Sequence, residues 1–225
     1  MSSLWNKLID LEKYFESKFY ETGSIIPNYQ AEPYQKYGLI EKVWASSIYR
    51  KAQISIFDLR KSKGIWMLHC CVYPHTTNNA PIFGFDIVAG KNKVTGCFID
   101  YSPLTDTHPM STYFEETIEK MEWTNVRELP GWAKPIFSKS MVSIGKFKDD
   151  EELDQTLALG RELLEHYLET VAQTKDTVDN NTQLQNFYCQ QQKLNPRTAK
   201  VMETLGIPSE QVSTFIDKCM FPEIN

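Results

Sequence analysis

No C-x-x-C pair occurs in this chain, and its five cysteines are an odd number. Neither a disulfide framework nor a structural zinc site is therefore expected. No apolar run approaches the roughly 20 residues needed to cross a bilayer. The first residues, Met1 to Lys7, turn amphipathic at once and lack a signal-peptide core. A reducing, cytoplasmic setting is the expectation. Excess positive charge is missing too: the formal net charge is −5, against the basic footprint that broad nucleic-acid binding needs. There is no internal repeat, low-complexity tract or Ser/Gly-rich linker. Nor is there a Gly-rich dinucleotide fingerprint, a phosphate loop, an H-E-x-x-H or a nucleophile elbow. Any redox chemistry must take its electrons from outside.

What remains is one ordinary globular domain over residues 1–225, with 41% hydrophobic residues and enough chain to bury a sizeable core. Trp5, Leu8, Ile9, Leu11, Tyr14, Phe15 and Phe19 fall near helical spacing, which predicts a helix over Leu4 to Phe19. A polar, Pro-containing stretch (Gly23 to Tyr37) follows. From Gly38 to Ile99, Val, Ile, Phe, Trp and Tyr recur at short range between the breaks Arg60 to Gly64, His75 to Ala80 and Gly90 to Lys93. That pattern predicts four or five antiparallel strands joined by hairpins, with a further strand at Ser140 to Phe147. Asp149 to Thr174 reads as a long helix with an acidic first turn and Leu153, Leu157, Leu163, Leu164 and Leu168 on its apolar side. Residues 181–225 read as two or three shorter helices, with Pro196 and Pro208 where new ones begin. The fold class is α+β, a sandwich of helices over a central antiparallel sheet, with room for a large planar ligand between sheet and helices.

Two polar residues interrupt the apolar strands. Ile65 to Tyr73 is apolar except for His69, and Ile82 to Val88 is apolar except for Asp86. A symmetric hairpin centred between Thr77 and Asn78 sets the two opposite each other, with Cβ atoms about 4.5–5.5 Å apart. Met67, Cys71, Tyr73, Gly84 and Val88 share that face, and Gly84 leaves space where a ligand comes close. The pair reads either as a buried ion pair or as a proton-transfer pair. In the second case burial raises the Asp and a protonated His lowers it again, so that the two titrate as one unit. Cys70 and Cys71, in mid-strand, read as core residues.

Five separated blocks resemble the ferredoxin-dependent bilin reductases, and among them the phycocyanobilin-forming branch. They are Leu68-His69-Cys70, Pro81 to Gly90, Asp100-Tyr101-Ser102-Pro103, Arg127 to Trp132, and Tyr188 to Lys193. The resemblance implies an α/β/α sandwich that holds biliverdin IXα between the sheet and the C-terminal helices, with no permanently bound cofactor. Reduced ferredoxin would supply single electrons and the enzyme would supply protons to bilin radicals. By the same resemblance Asp86 is the central proton donor and His69 its partner at the lactam oxygens, while Thr95, Arg127 and Arg197 bind propionates or line the entrance. A surface salt bridge with Glu128 or a neighbour is the competing reading of Arg127. The remaining substrate-binding candidates are Met67, Gly84, Asn195 and Phe57.

Two positions bear on the product. Phycocyanobilin-forming relatives carry a glutamate twelve residues before the His, where this chain has Phe57; Asp58 points to the other face by strand alternation. Phe57 is expected to fill space against the bilin. At Asn195, phycoerythrobilin-forming relatives usually carry aspartate, whereas phycocyanobilin-forming relatives have asparagine. The expectation is four-electron reduction of biliverdin to phycoerythrobilin. Phycocyanobilin formation and a non-catalytic bilin carrier are the alternatives. Ferredoxin, biliverdin and haem oxygenase as upstream supplier are the expected partners, with no nucleic acid, no membrane and a monomeric state. Ferredoxin docking is expected on Arg50, Lys51, Arg60, Lys61 and Lys63, or on Lys139, Lys146 and Lys148.

Overall fold

The computed structural model describes residues 3–91, 93–174 and 180–225. Met1 and Ser2 of the N-terminal stretch and Asn92 of the Gly90 to Lys93 turn lie outside them.

A seven-stranded antiparallel sheet is laid down in chain order: β1 (Ser24–Ile26), β2 (Leu39–Ala45), β3 (Lys51–Leu59), β4 (Ile65–Tyr73), β5 (Ile82–Gly90), β6 (Lys93–Ser102) and β7 (Val142–Ile144). Each central strand is joined to the next by a short turn, so the pattern of apolar runs and breaks was enough to place β2 to β6. Helices cover both faces, and the two central strands β4 and β5 are apolar nearly throughout instead of alternating, so a polar residue in them stands out.

On one face lie α1 (Ser3–Thr22), α2 (Pro109–Ile118) and α3 (Asp150–Gln173). Leu8, Leu11, Phe15 and Phe19 of α1 are fully buried, and Phe15 meets Phe85 of β5 edge-on at 5.2 Å between ring centroids. The α3 helix starts where its acidic turn predicts, with the Asp149 side chain accepting the Glu152 backbone N–H at 2.9 Å. Its predicted leucines are buried. At Gly160 a Cβ would stand 2.5 Å from the Phe85 ring, so only glycine lets α3 settle this close to the sheet.

The opposite face carries a 3₁₀ turn (Glu32–Tyr37), α4 (Thr182–Lys193), α5 (Pro196–Leu205) and α6 (Ser209–Phe215), the last running into a π turn (Ile216–Met220). Pro196 occupies the first turn of α5 and Pro208 immediately precedes α6, as expected of a residue with fixed φ and no N–H to lose.

The sequence pattern missed β1, the 3₁₀ turn and α2. The strand expected over Ser140 to Phe147 shrinks to three residues. Each of these is short, and α2 interrupts a stretch whose periodicity is too brief to read. Among the described residues no helix is long and apolar enough to cross a membrane.

Candidate active site

His69 on β4 and Asp86 on β5 are register partners, and Nδ1 of the imidazole lies 2.7 Å from Oδ1 of the carboxylate. Nε2 is 3.5 Å from Cys71 Sγ. Burial works against an imidazolium here, but the Cys71 sulfur and the Asp86 carboxylate outweigh it and hold His69 well above its ordinary pKa. A protonated His69 thus donates from Nδ1 to Asp86 and from Nε2 to Cys71. Both ring nitrogens are engaged inside the protein, so His69 reaches a ligand through Asp86. Oδ2 of Asp86 has no hydrogen-bond partner among the described residues, and the Asp86 side chain is 41% exposed against 8% for His69.

That open carboxylate faces a cavity of about 310 Å³ between the sheet and the helices on this side. Its floor is Met67, His69, Gly84, Asp86 and Val88 of the central strands, and its far wall includes Trp132, Phe137, Tyr188, Met202 and Phe221. A Cβ on Gly84 would find nothing nearer than the Tyr188 hydroxyl, at 3.9 Å, which leaves open space beside Asp86.

Eight of the nine candidates line this cavity: Met67, His69, Gly84, Asp86, Thr95, Arg127, Asn195 and Arg197. Thr95 sits where the β5–β6 register slips at Val88/Ala89. Such a bulge re-aims a side chain at a sheet rim, and the Thr95 hydroxyl donates to the Val88 carbonyl at 3.3 Å. The Arg127 guanidinium donates to the Thr95 carbonyl at 2.9 Å and to the Gly145 carbonyl at 3.4 Å. No ion pair of Arg127 with Glu128 occurs among the described residues. Asn195 caps α5, its Oδ1 accepting the Arg197 backbone N–H at 3.0 Å.

The ninth candidate, Phe57, is placed differently. It lies on the same sheet face but is buried beneath α6, with its ring centroid 6.0 Å from that of Phe215. It does not line the cavity: its register partner Met67 does. Asp58 points the other way and binds Arg60.

The expected docking groups also change. Arg50 is bonded to Gln185 and Arg60 to Asp58, while Lys51 is half-buried and faces Glu41. Lys61, Lys63, Lys139, Lys146 and Lys148 are exposed.

Sequence reasoning gave no role to Asp100. This carboxylate is buried on β6 opposite Gly84 and reaches the cavity wall. It accepts hydrogen bonds from Ser102 Oγ at 2.7 Å and from Ser138 N and Oγ at 3.1 and 2.5 Å. Burial raises its pKa to about 6 against the pull of those donors. The signal was present: Asp100 is the lone acidic residue of β6, as Asp86 is of β5. Tyr188 likewise belonged to a recognised block without a role.

A sheet that presents a hydrogen-bonded His–Asp pair to a largely apolar cavity has the chemistry to hold an apolar ligand and hand it a proton. A family model described as ferredoxin-dependent bilin reductase matches residues 28–222, and the chain belongs to that family. It is similar to phycocyanobilin:ferredoxin oxidoreductase of Synechococcus sp. strain CC9605, at 33% identity over 178 residues, which cover 72% of this chain and 68% of the relative. The Synechococcus elongatus protein of the same name is 26% identical over 213 residues, covering 90% and 82% of the two chains. The solved structure of PcyX superposes with a TM-score of 0.73 at 25% identity, covering 97% of this chain and 99% of that one. Tomato phytochromobilin synthase, solved in complex with biliverdin, gives 0.72 at 15% identity over 96% and 82%. The chain is an oxidoreductase that takes its electrons from ferredoxin.

Proposed function

We propose that this enzyme reduces biliverdin IXα by four electrons to phycoerythrobilin, first at the C15 methine bridge and then at the A-ring diene. The observation that carries the reading is the His69–Asp86 pair opening into an apolar cavity, with phenylalanine where the phycocyanobilin-forming relatives have a proton-bearing glutamate. Biliverdin bound to the tomato relative supports the choice of substrate.

In this reading each double bond takes up two electrons, delivered singly by ferredoxin, and two protons. The electron arrives first and leaves the bilin as a radical carrying extra negative charge. The imidazolium proton of His69 passes to Asp86 across the 2.7 Å Nδ1–Oδ1 contact, Asp86 hands it on to the bilin, and water reprotonates the pair before the next electron arrives. Thr95, Arg127 and Arg197 at the rim suit the two propionates, which are anionic and stay near solvent. The enzyme works as a cytoplasmic monomer supplied with biliverdin by haem oxygenase.

The names of the curated relatives favour a second reading, phycocyanobilin formation, in which the D-ring vinyl group is reduced instead of the C15 bridge. Asn195, as in that branch, points the same way. Anaerobic incubation with biliverdin and reduced ferredoxin, followed by chromatography of the bilins, separates the two. Phycocyanobilin as sole product would overturn the first reading, and unchanged biliverdin would overturn both.

A further inference from the structure

The cavity is lined by a second polar group besides the His69–Asp86 pair, the Tyr188 hydroxyl. Tyr188 on α4 is buried, and its hydroxyl accepts a hydrogen bond from Gln192 Nε2 at 2.7 Å. Gln192 sits one helical turn further along α4, where i and i+4 side chains meet. A phenol can accept and donate at once. Here the accepting position is filled, while the phenolic hydrogen has no acceptor among the described residues. The oxygen stands 3.9 Å from where a Cβ on Gly84 would be, in the space that the missing side chain leaves open beside Asp86. The ring is fixed by Tyr73 and Phe137, both edge-on to it at 6.1 and 6.3 Å between centroids. Burial, with Cys71 and Asp86 among its neighbours, keeps the phenol protonated far above neutral pH.

We propose that Tyr188 is a fixed hydrogen-bond donor to the ligand, oriented by Gln192, and that it stabilises the negative charge each electron brings before Asp86 delivers a proton. This rests on the bilin-reducing reading of the site and adds to it a partition of labour. Asp86 gives up a proton, whereas Tyr188 keeps its own and shares it. No bond to the phenolic hydrogen breaks: the electron comes from ferredoxin, the charge develops on a bilin lactam oxygen, and the proton that neutralises it comes from Asp86. Donors held ready for developing charge in a dry site contribute strongly to rate because they need no reorganisation. The missing Cβ of Gly84 is then what lets the ligand approach Asp86 and Tyr188 together.

Tyr188→Phe keeps the packing and removes the donor. Gln192→Glu keeps the shape but offers the phenol a carboxylate, which draws its hydrogen away from the cavity. Both variants should still bind biliverdin, with an absorption band shifted from that of wild type. Both should reduce it about 10²-fold more slowly, the usual cost of losing one such donor. Gln192→Leu leaves the phenol without its orienting partner but still able to donate, and should lose less. A merely structural tyrosine would respond differently, since Gln192→Glu would then match Gln192→Leu in spectrum and rate. Wild-type turnover with unaltered turnover in Tyr188→Phe and Gln192→Glu would overturn this proposal alone. Absence of biliverdin turnover in wild type would overturn the underlying reading, and this one with it.

Discussion

Asn195 Oδ1 accepts the backbone N–H of Arg197 at 3.0 Å, so one side chain both starts α5 and lines the cavity. Aspartate caps a helix as well as asparagine does, and a negative charge at a helix N-terminus is favourable. Asn195→Asp is therefore expected to leave the melting temperature within a few degrees of wild type while adding a carboxyl group to the cavity wall. Asn195→Ala should lose about 1 kcal/mol with the cap. Thermal unfolding of the two variants side by side checks this. A strongly destabilised Asn195→Asp would mean that the amide nitrogen makes a contact the carboxylate cannot.

Asp86→Asn keeps the size of the side chain and its contact with His69 but has no proton to transfer. Biliverdin should bind, and its reduction should slow by roughly 10²–10⁴. His69→Gln removes the charge that Asp86 faces, so the pH dependence of the bound bilin's absorption should change more than its affinity. Turnover near wild type in Asp86→Asn would remove the pair from the mechanism.

Asp100 sets a pH dependence of stability. Its pKa is raised from 3.8 in the ordinary case to about 6 in the folded protein, so the native state holds a proton that the unfolded chain releases. The stabilisation is fully present below about pH 4 and is lost as pH rises through about 6, a change of about 3 kcal/mol at most. In Asp100→Asn the amide can accept from Ser138 N–H and Ser102 Oγ and donate to Ser138 Oγ. Denaturant midpoints between pH 4 and 7 should thus fall less steeply with pH in the variant than in wild type. Parallel curves would show that Asp100 is ionised throughout.

How much of this was legible beforehand depends on how local the signal is. His69 and Asp86 were readable because a two-strand hairpin fixes register by index arithmetic alone, and because each is a polar break in an otherwise apolar strand. The rim residues came through resemblance, since nothing in the spacing of Thr95, Arg127 and Arg197 brings them together: a bulge and a long return to the sheet edge do so. Phe57 was assigned to the right face, but which neighbour covers it is set by Phe215, 158 positions along the chain. Arg50 and Lys51 look like surface charge in sequence and are engaged in the folded chain, because their partners Gln185 and Glu41 come from other elements, whereas Arg60 is held by Asp58, only two residues before it.

Ferredoxin must dock on a molecule of net charge −5, so attraction to an acidic partner has to come from a local patch. Lys61 and Lys63 at one end of the β3–β4 hairpin, or Lys139, Lys146 and Lys148 near β7, are the exposed candidates. Turnover should fall as ionic strength rises, because exposed charges are screened beyond about 10 Å at 0.1 M. Charge reversal at Lys61 and Lys63 together, compared with Lys139 and Lys146 together, should raise the KM for ferredoxin in one pair only. A rate indifferent to salt would exclude both patches as electrostatic docking sites.

The product is tested through Phe57. A glutamate in its place would sit on the cavity side of the sheet, behind Met67, at the position the phycocyanobilin-forming relatives use. Surrounded by Phe215 and Leu39, the new carboxyl would be desolvated, so its pKa should rise and it could hold a proton near neutral pH. Removing a buried ring and burying an acid should cost about 3 kcal/mol or more, so the identity of the product is a better readout than the rate. If lack of an acid here is what spares the D-ring vinyl group, Phe57→Glu should yield some bilin reduced at that vinyl, and Phe57→Gln should not. Because Phe57 lies behind the cavity wall, Phe57→Glu combined with Met67→Ala should yield more of that product than Phe57→Glu alone. Vinyl reduction by wild type would instead show that another group supplies the proton, and would favour the phycocyanobilin reading. No vinyl reduction by any variant would leave the phycoerythrobilin assignment in place and remove Phe57 as its cause.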